Sequence, residues 1–200
     1  MNIETIPQLI KSSAAQHPNS SALIYQQEEI SFRELQDLSL RTAKGLSEIG
    51  IKKNDRVAFW LPNCPAYVVL YLACAQLGAI AVAVNTRFRS SEIADILSRS
   101  RAKTLILWPG FRNLDFLKIL AEIDESVFSH LESLILYSEE DAIQDLPTLL
   151  QSKQIIDYTQ LVKSEAFAGD CSGANLGSNI FTTSGTTKAP KFVLHTHASI

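Results

Sequence analysis

The chain is short of the features that mark several protein classes. It has only three cysteines, Cys64, Cys74 and Cys171, in 200 residues. They form no metal-type pair, and an odd count leaves at least one thiol unpaired, so the simple reading is free thiols in a reducing cytoplasm. There is no basic excess. The net charge of -3 argues against a general nucleic-acid binder, which needs a basic surface. The start, Met1-Asn2-Ile3-Glu4-Thr5, has no basic stretch leading into an apolar run, so no secretory leader is read there. His195 and His197 would face the same side of a strand. No Cys, Asp or Glu cluster accompanies them, so a loop or cap role is expected rather than a metal site. What remains is an ordinary globular composition, 46% hydrophobic and 20% charged, with length for one large domain or one and a part.

Taken in order, the patterns alternate. Thr5 to Gln16 reads as a helix with Pro7 in its first turn, where a missing N–H does no harm, and with Ile6, Leu9, Ile10 and Ala14 inward. Ala22 to Tyr25 and the residues around Ile30 suggest two short strands about a polar turn. Ser31-Phe32-Arg33-Glu34 is a capping box. Leu35, Leu38, Thr42, Leu46 and Ile49 follow it at helical spacing until Gly50. Asp55 to Leu61 is a buried strand in outline, Ala66 to Leu77 a helix, Gly78 a left-handed helix end and Ala79 to Val84 a further strand. Strand, helix, strand in about thirty residues is a parallel βαβ unit.

A second unit repeats the pattern. A polar loop at Asn85-Thr86-Arg87-Phe88-Arg89 leads to a helix capped by Ser90 or Ser91 and running to Arg99. Thr104 to Trp108 is a strand, Pro109-Gly110 a turn, Leu114 to Ile123 a helix and Leu134 to Leu136 a strand. Asp141 to Leu161 has no clear period, and the polar, glycine-containing stretch from Ser164 to Ser178 reads as a connecting loop. Alternation of this kind predicts an α/β fold with a largely parallel sheet flanked by helices. Ala66 to Val84 carries no charge and is long enough to span a bilayer. Against a membrane span stand Gly78 in its interior, the prolines before it and the lack of a basic flank. Strands buried on both faces also read as unbroken apolar runs.

The most informative stretch is Phe181-Thr182-Thr183-Ser184-Gly185-Thr186-Thr187-Lys188-Ala189-Pro190-Lys191. Five hydroxyl residues surround one glycine, and small side chains of this kind let backbone N–H groups converge on an anion. Lys191 adds a mobile positive charge with three donors. The common phosphate loop is excluded, because it needs two glycines and a Lys-Ser/Thr pair. A plain Ser/Thr-rich surface loop is the alternative. The stretch resembles the signature of the adenylate-forming enzymes (acyl-CoA synthetases, luciferases and peptide-synthetase adenylation domains), T-S-G-T-T-G-x-P-K-G-V. It matches at Thr183-Ser184-Gly185-Thr186-Thr187, at Pro190-Lys191 and at Val193. It departs at Lys188 and Phe192, where that pattern has glycine. Asn85-Thr86-Arg87 after a strand is similar to the Val-Asn-Thr-Arg-like run of acyl-CoA synthetases, and the hairpin followed by Phe32-Arg33-Glu34-Leu35 is similar to the start of that fold.

The resemblance implies a two-step reaction. A carboxylate attacks the α-phosphorus of ATP to give an acyl-adenylate and pyrophosphate, and a thiol, of coenzyme A or of a carrier pantetheine, then attacks the activated carbonyl. It assigns Thr183, Ser184, Gly185, Thr186, Thr187 and Lys191 to the ATP phosphates, places no catalytic residue in this segment, and implies Mg2+ as the metal. It further implies that residues 1–200 are the N-terminal subdomain of an AMP-binding domain, ending just after the phosphate loop, and that this segment alone is inactive. A non-catalytic nucleotide-binding module is the alternative. A loop mobile without phosphate, a homo-oligomer and a cytoplasmic location are further expectations.

Overall fold

A computed structural model of the chain describes residues 3–139, 146–183 and 191–200. Helix α1, Ile6–Gln16, begins where the Thr5 side chain accepts the Gln8 N–H, with Pro7 in the first turn. Its buried side is Pro7, Ile10 and Ala14, whereas Leu9, expected inward, is 53% exposed. Strands β1, Ser21–Tyr25, and β2, Glu28–Ser31, pair as an antiparallel hairpin. The capping box then opens α2, Phe32–Glu48: Ser31 Oγ accepts the Glu34 N–H and the Glu34 carboxylate accepts the Ser31 N–H at 2.8 Å.

The second sheet starts with β3, Arg56–Trp60, continues through α3, Pro65–Leu77, to β4, Ile80–Ala83, and through α4, Ser90–Ser100, to β5, Thr104–Leu107. A short helix α5, Phe116–Ala121, precedes β6, Ser133–Leu136. Next come β7, Gln154–Asp157, the single-turn helix α6, Tyr158–Leu161, and the strands β8, Gly177–Thr183, and β9, Lys191–Thr196. The strand order is β7-β6-β5-β3-β4-β8-β9, and every neighbouring pair is parallel except β8 and β9. This is the α/β architecture expected from the alternation.

Period-two alternation splits the core into two faces. Ala58, Trp60, Leu105 and Leu107 point to the side covered by α4 and α5. Val57, Phe59 and Ile106 point to the side covered by α2, α3 and α6. The uncharged run from Ala66 to Val84 breaks into α3, a left-handed Gly78 at φ +67 and β4. Its helix is apolar all round because it is covered twice. Leu70, Ala73 and Leu77 meet the sheet, while Val69 and Leu72 meet Ile10 of α1 and Leu35 of α2. That double burial, not lipid, accounts for the hydropathy. No helix among the described residues is long and apolar enough to cross a membrane.

Several local readings change. Helix α4 is capped at Arg89, whose N–H donates to the Glu92 carboxylate at 3.0 Å, so Ser90 lies inside the first turn. Helix α5 is shorter than its apolar spacing predicts. Arg112 takes a left-handed conformation at φ +52, and Asp115 accepts the Lys118 N–H at 2.9 Å, which starts the helix at Phe116. Strand β7 and α6 fall in the stretch without a clear period. His197 lies in a 3-10 turn just beyond β9 and is buried, with its Nδ1 accepting the Ile6 N–H at 3.4 Å. It thus plays the cap role expected of it.

Two predictions follow from this packing. A glycine-to-alanine change inside a helix ordinarily gains up to about 1 kcal/mol. At Gly45 the added Cβ would lie 2.8 Å from Leu161 Cα, which is backbone and cannot rotate away. Overpacking of this kind costs roughly 1–3 kcal/mol. Gly45→Ala should therefore lower the urea midpoint, while Ser47→Ala on the same helix should leave it nearly unchanged. His197 supplies the second prediction. Burial holds its imidazole below the usual range, against an opposing pull from Asp170. The folded state thus keeps the ring neutral where the unfolded chain, at about pH 6.5, takes up a proton. The stability it contributes is full above that pH and falls as the pH drops through it. The His197→Gln variant should show a smaller drop in thermal midpoint between pH 7.5 and 5.5 than the parent.

Candidate functional site

In this parallel sheet the carboxyl ends of the strands lie at one edge, where crossover connections leave room for a ligand. The order β7-β6-β5-β3-β4 has its switch point between β3 and β5, because the chain leaves β3 toward β4 and then returns across it. A cleft of about 660 Å³ opens at these ends. Pro62 and Asn63 after β3, Asn85 to Arg87 after β4, Phe111 and Arg112 after β5, and Phe181 and Thr182 of β8 line it. The opposite end of the sheet is closed by Lys103, whose ammonium lies 3.4 Å from Asp55 and 3.3 Å from Glu132.

The two ends of the hydroxyl stretch, Thr183 and Lys191, lie at the open end of the sheet on the antiparallel neighbours β8 and β9. Thr183, the last residue of β8, stands directly opposite Lys191, the first of β9. Thr182, one residue earlier, reaches the cleft. Ser184, Gly185, Thr186, Thr187 and Lys188 lie outside the described residues, as does the expectation of mobility attached to them. Next to this hairpin the β4–α4 loop is fixed by its own polar groups. Asn85 Oδ1 accepts the Arg87 N–H at 2.9 Å, and Arg89 Nη1 donates to the carbonyls of Arg87 and Phe88 at 2.9 and 3.0 Å. Arg87 and Arg112 thus bring two guanidinium groups to a cleft whose lining, among the described residues, includes no carboxylate.

Strand β8 is held from below by a polar anchor. Asn179 and Ser178 are buried, and the Tyr71 hydroxyl of α3 donates to Asn179 Oδ1 at 3.0 Å and lies 3.4 Å from Ser178 Oγ. Burial, which outweighs those hydrogen bonds, raises the Tyr71 pKa. Burial also raises Tyr67, which lines the cleft, and Cys64, and pushes the Cys74 thiol up to about 12. Both buried cysteines are therefore thiols at neutral pH, not nucleophilic thiolates. Among the described residues no group of three or more His, Cys, Asp or Glu side chains could hold a metal ion.

The motif identified Thr183 and Lys191, and the fold brings them to one end of the sheet together with Thr182 and with Asn85 to Arg87 of the second family-like run. It did not identify Tyr25, Asn63, Tyr67, Phe111 or Arg112, which come from other segments. The signal for Asn63 and Arg112 was available in principle: each follows a predicted strand at its carboxyl end.

The family model described as AMP-binding enzyme matches residues 10–200. The chain belongs to the AMP-binding enzyme family. Among its curated relatives, the mitochondrial medium-chain acyl-CoA ligase ACSF2 of Rattus norvegicus is 28% identical over 213 residues, which is 98% of this chain and 34% of that protein. The crotonobetaine/carnitine–CoA ligase of Salmonella paratyphi B is 28% identical over 202 residues, 98% of this chain and 37% of that one. The chain thus spans about a third of the length of the AMP-binding relatives it matches. Among solved structures, the anthranilate CoA ligase AuaEII in complex with anthranoyl-AMP superposes with a TM-score of 0.77 at 21% identity, over 97% of this chain and 35% of that one. That likeness supports the AMP-binding enzyme fold.

The polar anchor under β8 is directly testable. Tyr71→Phe removes the donor and leaves the Asn179 carboxamide buried without it, a loss worth roughly 1–3 kcal/mol. The variant should unfold at lower urea, and amide exchange should quicken first in β8 and β9. An unchanged midpoint would mean that Asn179 finds another partner.

Proposed function

We propose that this chain is the N-terminal part of an ATP-dependent carboxylate–CoA ligase, and that its hydroxyl hairpin grips the phosphates of ATP. The observation that carries the reading is the pairing of Lys191 with Thr183 across the mouth of the hairpin, beside a cleft supplied with Arg87 and Arg112. Membership of the AMP-binding family and relatives that are acid–CoA ligases supply the reaction class. A carboxylate oxygen bonds to the α-phosphorus, the bond to the bridging oxygen breaks, and pyrophosphate leaves with the electron pair. Thiolate sulfur then bonds to the acyl carbon, and AMP leaves. Thr183, Ser184, Gly185, Thr186 and Thr187 supply donors to the phosphate oxygens. The Lys191 ammonium meets the charge that grows on the leaving pyrophosphate. Donors already in place for that charge lower the barrier without reorganisation.

An interaction made mainly in the transition state changes kcat more than substrate affinity. In the full-length enzyme, Lys191→Ala should cut the rate of pyrophosphate release by roughly 10²–10³, the loss typical of one such donor. ATP affinity should fall less, and the thiol half-reaction started from supplied acyl-adenylate should be nearly unchanged. Lys188→Gly, which restores the family pattern, should be tolerated. The 200-residue chain alone should give no acid-dependent ATP–pyrophosphate exchange. An unchanged rate for Lys191→Ala would overturn the assignment. Saturable ATP binding by the full-length protein without acid-dependent exchange would favour the non-catalytic nucleotide-binding module.

A further inference from the structure

Lys191 is exposed, and the first residue of an edge strand has few contacts to fix its position. The neighbouring residue is anchored. Phe192 pairs with Thr182 across the hairpin and packs against the core on the α4 side. The Arg99 guanidinium lies over its ring, 4.3 Å from the centroid. Arg99 is in turn held by Asp95 one turn earlier on α4, with Nη1 2.8 Å from the carboxylate. A guanidinium over an aromatic face is attracted by the ring quadrupole, and its planar shape suits stacking. Phe192 also occupies a position where the adenylate-forming signature has glycine, which could not make this contact.

We propose that Arg99 is a positioning residue for adenylation, acting through Phe192 to set where Lys191 stands relative to the leaving pyrophosphate. The proposal rests on the phosphate role of Lys191. Helix α4 is rooted in the sheet by Ile93, Ile96 and Leu97, all buried. The contact therefore ties the first residues of β9 to the rigid part of the fold. A strand end that drifts carries the ammonium with it, and misplacement by about 1 Å can cost as much as 10²-fold in rate. The effect falls on the chemical step, because ATP is also held by the other donors of the loop.

The test uses the full-length enzyme and pre-steady-state pyrophosphate release. Arg99→Gln removes the cation, and Phe192→Leu keeps an apolar side chain and every charge but removes the ring. Each should lower kcat for adenylation by roughly 10-fold with little change in the KM for ATP, as expected when only positioning is lost. The double variant should be no slower than either single, since the two residues act as one unit. Phe192→Trp, which keeps an aromatic face, should restore most of the rate. Thermal midpoints measured alongside show that each variant is folded at the assay temperature. Folded Arg99→Gln and Phe192→Leu enzymes with a normal kcat would overturn the proposal, as would multiplicative losses in the double variant or a loss from Arg99→Gln that Phe192→Leu does not share. Lys191→Ala run in parallel separates the two levels. If it is slow while the clamp variants are normal, the clamp fails and the phosphate role stands. If it is itself normal, the phosphate role fails and takes the clamp with it.

Discussion

The structure depends on covering both faces of strand β3. Val57, Ala58, Phe59 and Trp60 have no exposed surface, and they point alternately to opposite sides. A strand of this kind is stable only between two layers of helix. The chain meets the demand by sending α3 over one face on the way to β4 and α4 over the other on the way to β5. The reversal that makes this possible also separates the connections at the carboxyl ends of β3 and β5. The cleft is thus a consequence of double coverage.

The same constraint explains features that look anomalous in isolation. Helix α3 has no polar side because it lies between the sheet and the layer of α1, α2 and the hairpin. Gly45 in α2 permits the close approach of Leu161, and Gly78 combines a left-handed turn with a Cβ position only 2.7 Å from the Cys171 carbonyl oxygen. Both close approaches, one to helix α6 and one to the connecting segment at Cys171, are possible because glycine stands at the contact points. The interior then gives β8 a firm base through Tyr71 and Asn179, and β9 one through Arg99 and Phe192. Both strands that flank the hydroxyl stretch in sequence are thus tied to helices.

Most of the layout was legible in the residues, for particular reasons. Helix α2 could be read from Ser31 and Glu34, since both halves of a capping box are local. The βαβ unit of β3, α3 and β4 could be read from its apolar runs and Gly78. Strand β7 and α6 were not legible. Gln154 and Ile155 are exposed at the sheet edge, so no periodic pattern marks the strand. Leu9 fits the helical stripe yet faces outward, because among the described residues none covers that side of α1. Arg99 looks like a solvated surface charge from its neighbours in sequence; its contact with Phe192 joins positions far apart in the chain.

The sequence by itself determined the fold class and the family. These rest on local chemistry: hydrophobic period, caps, glycine at turns and a contiguous motif. Only the tertiary structure decided which residues share the cleft and which contacts hold the loop's strands. Asn63, Arg87, Arg112 and Thr182 come from four separate connections or strands. Their meeting depends on strand order, which is settled by the packing of whole helices against both faces of the sheet.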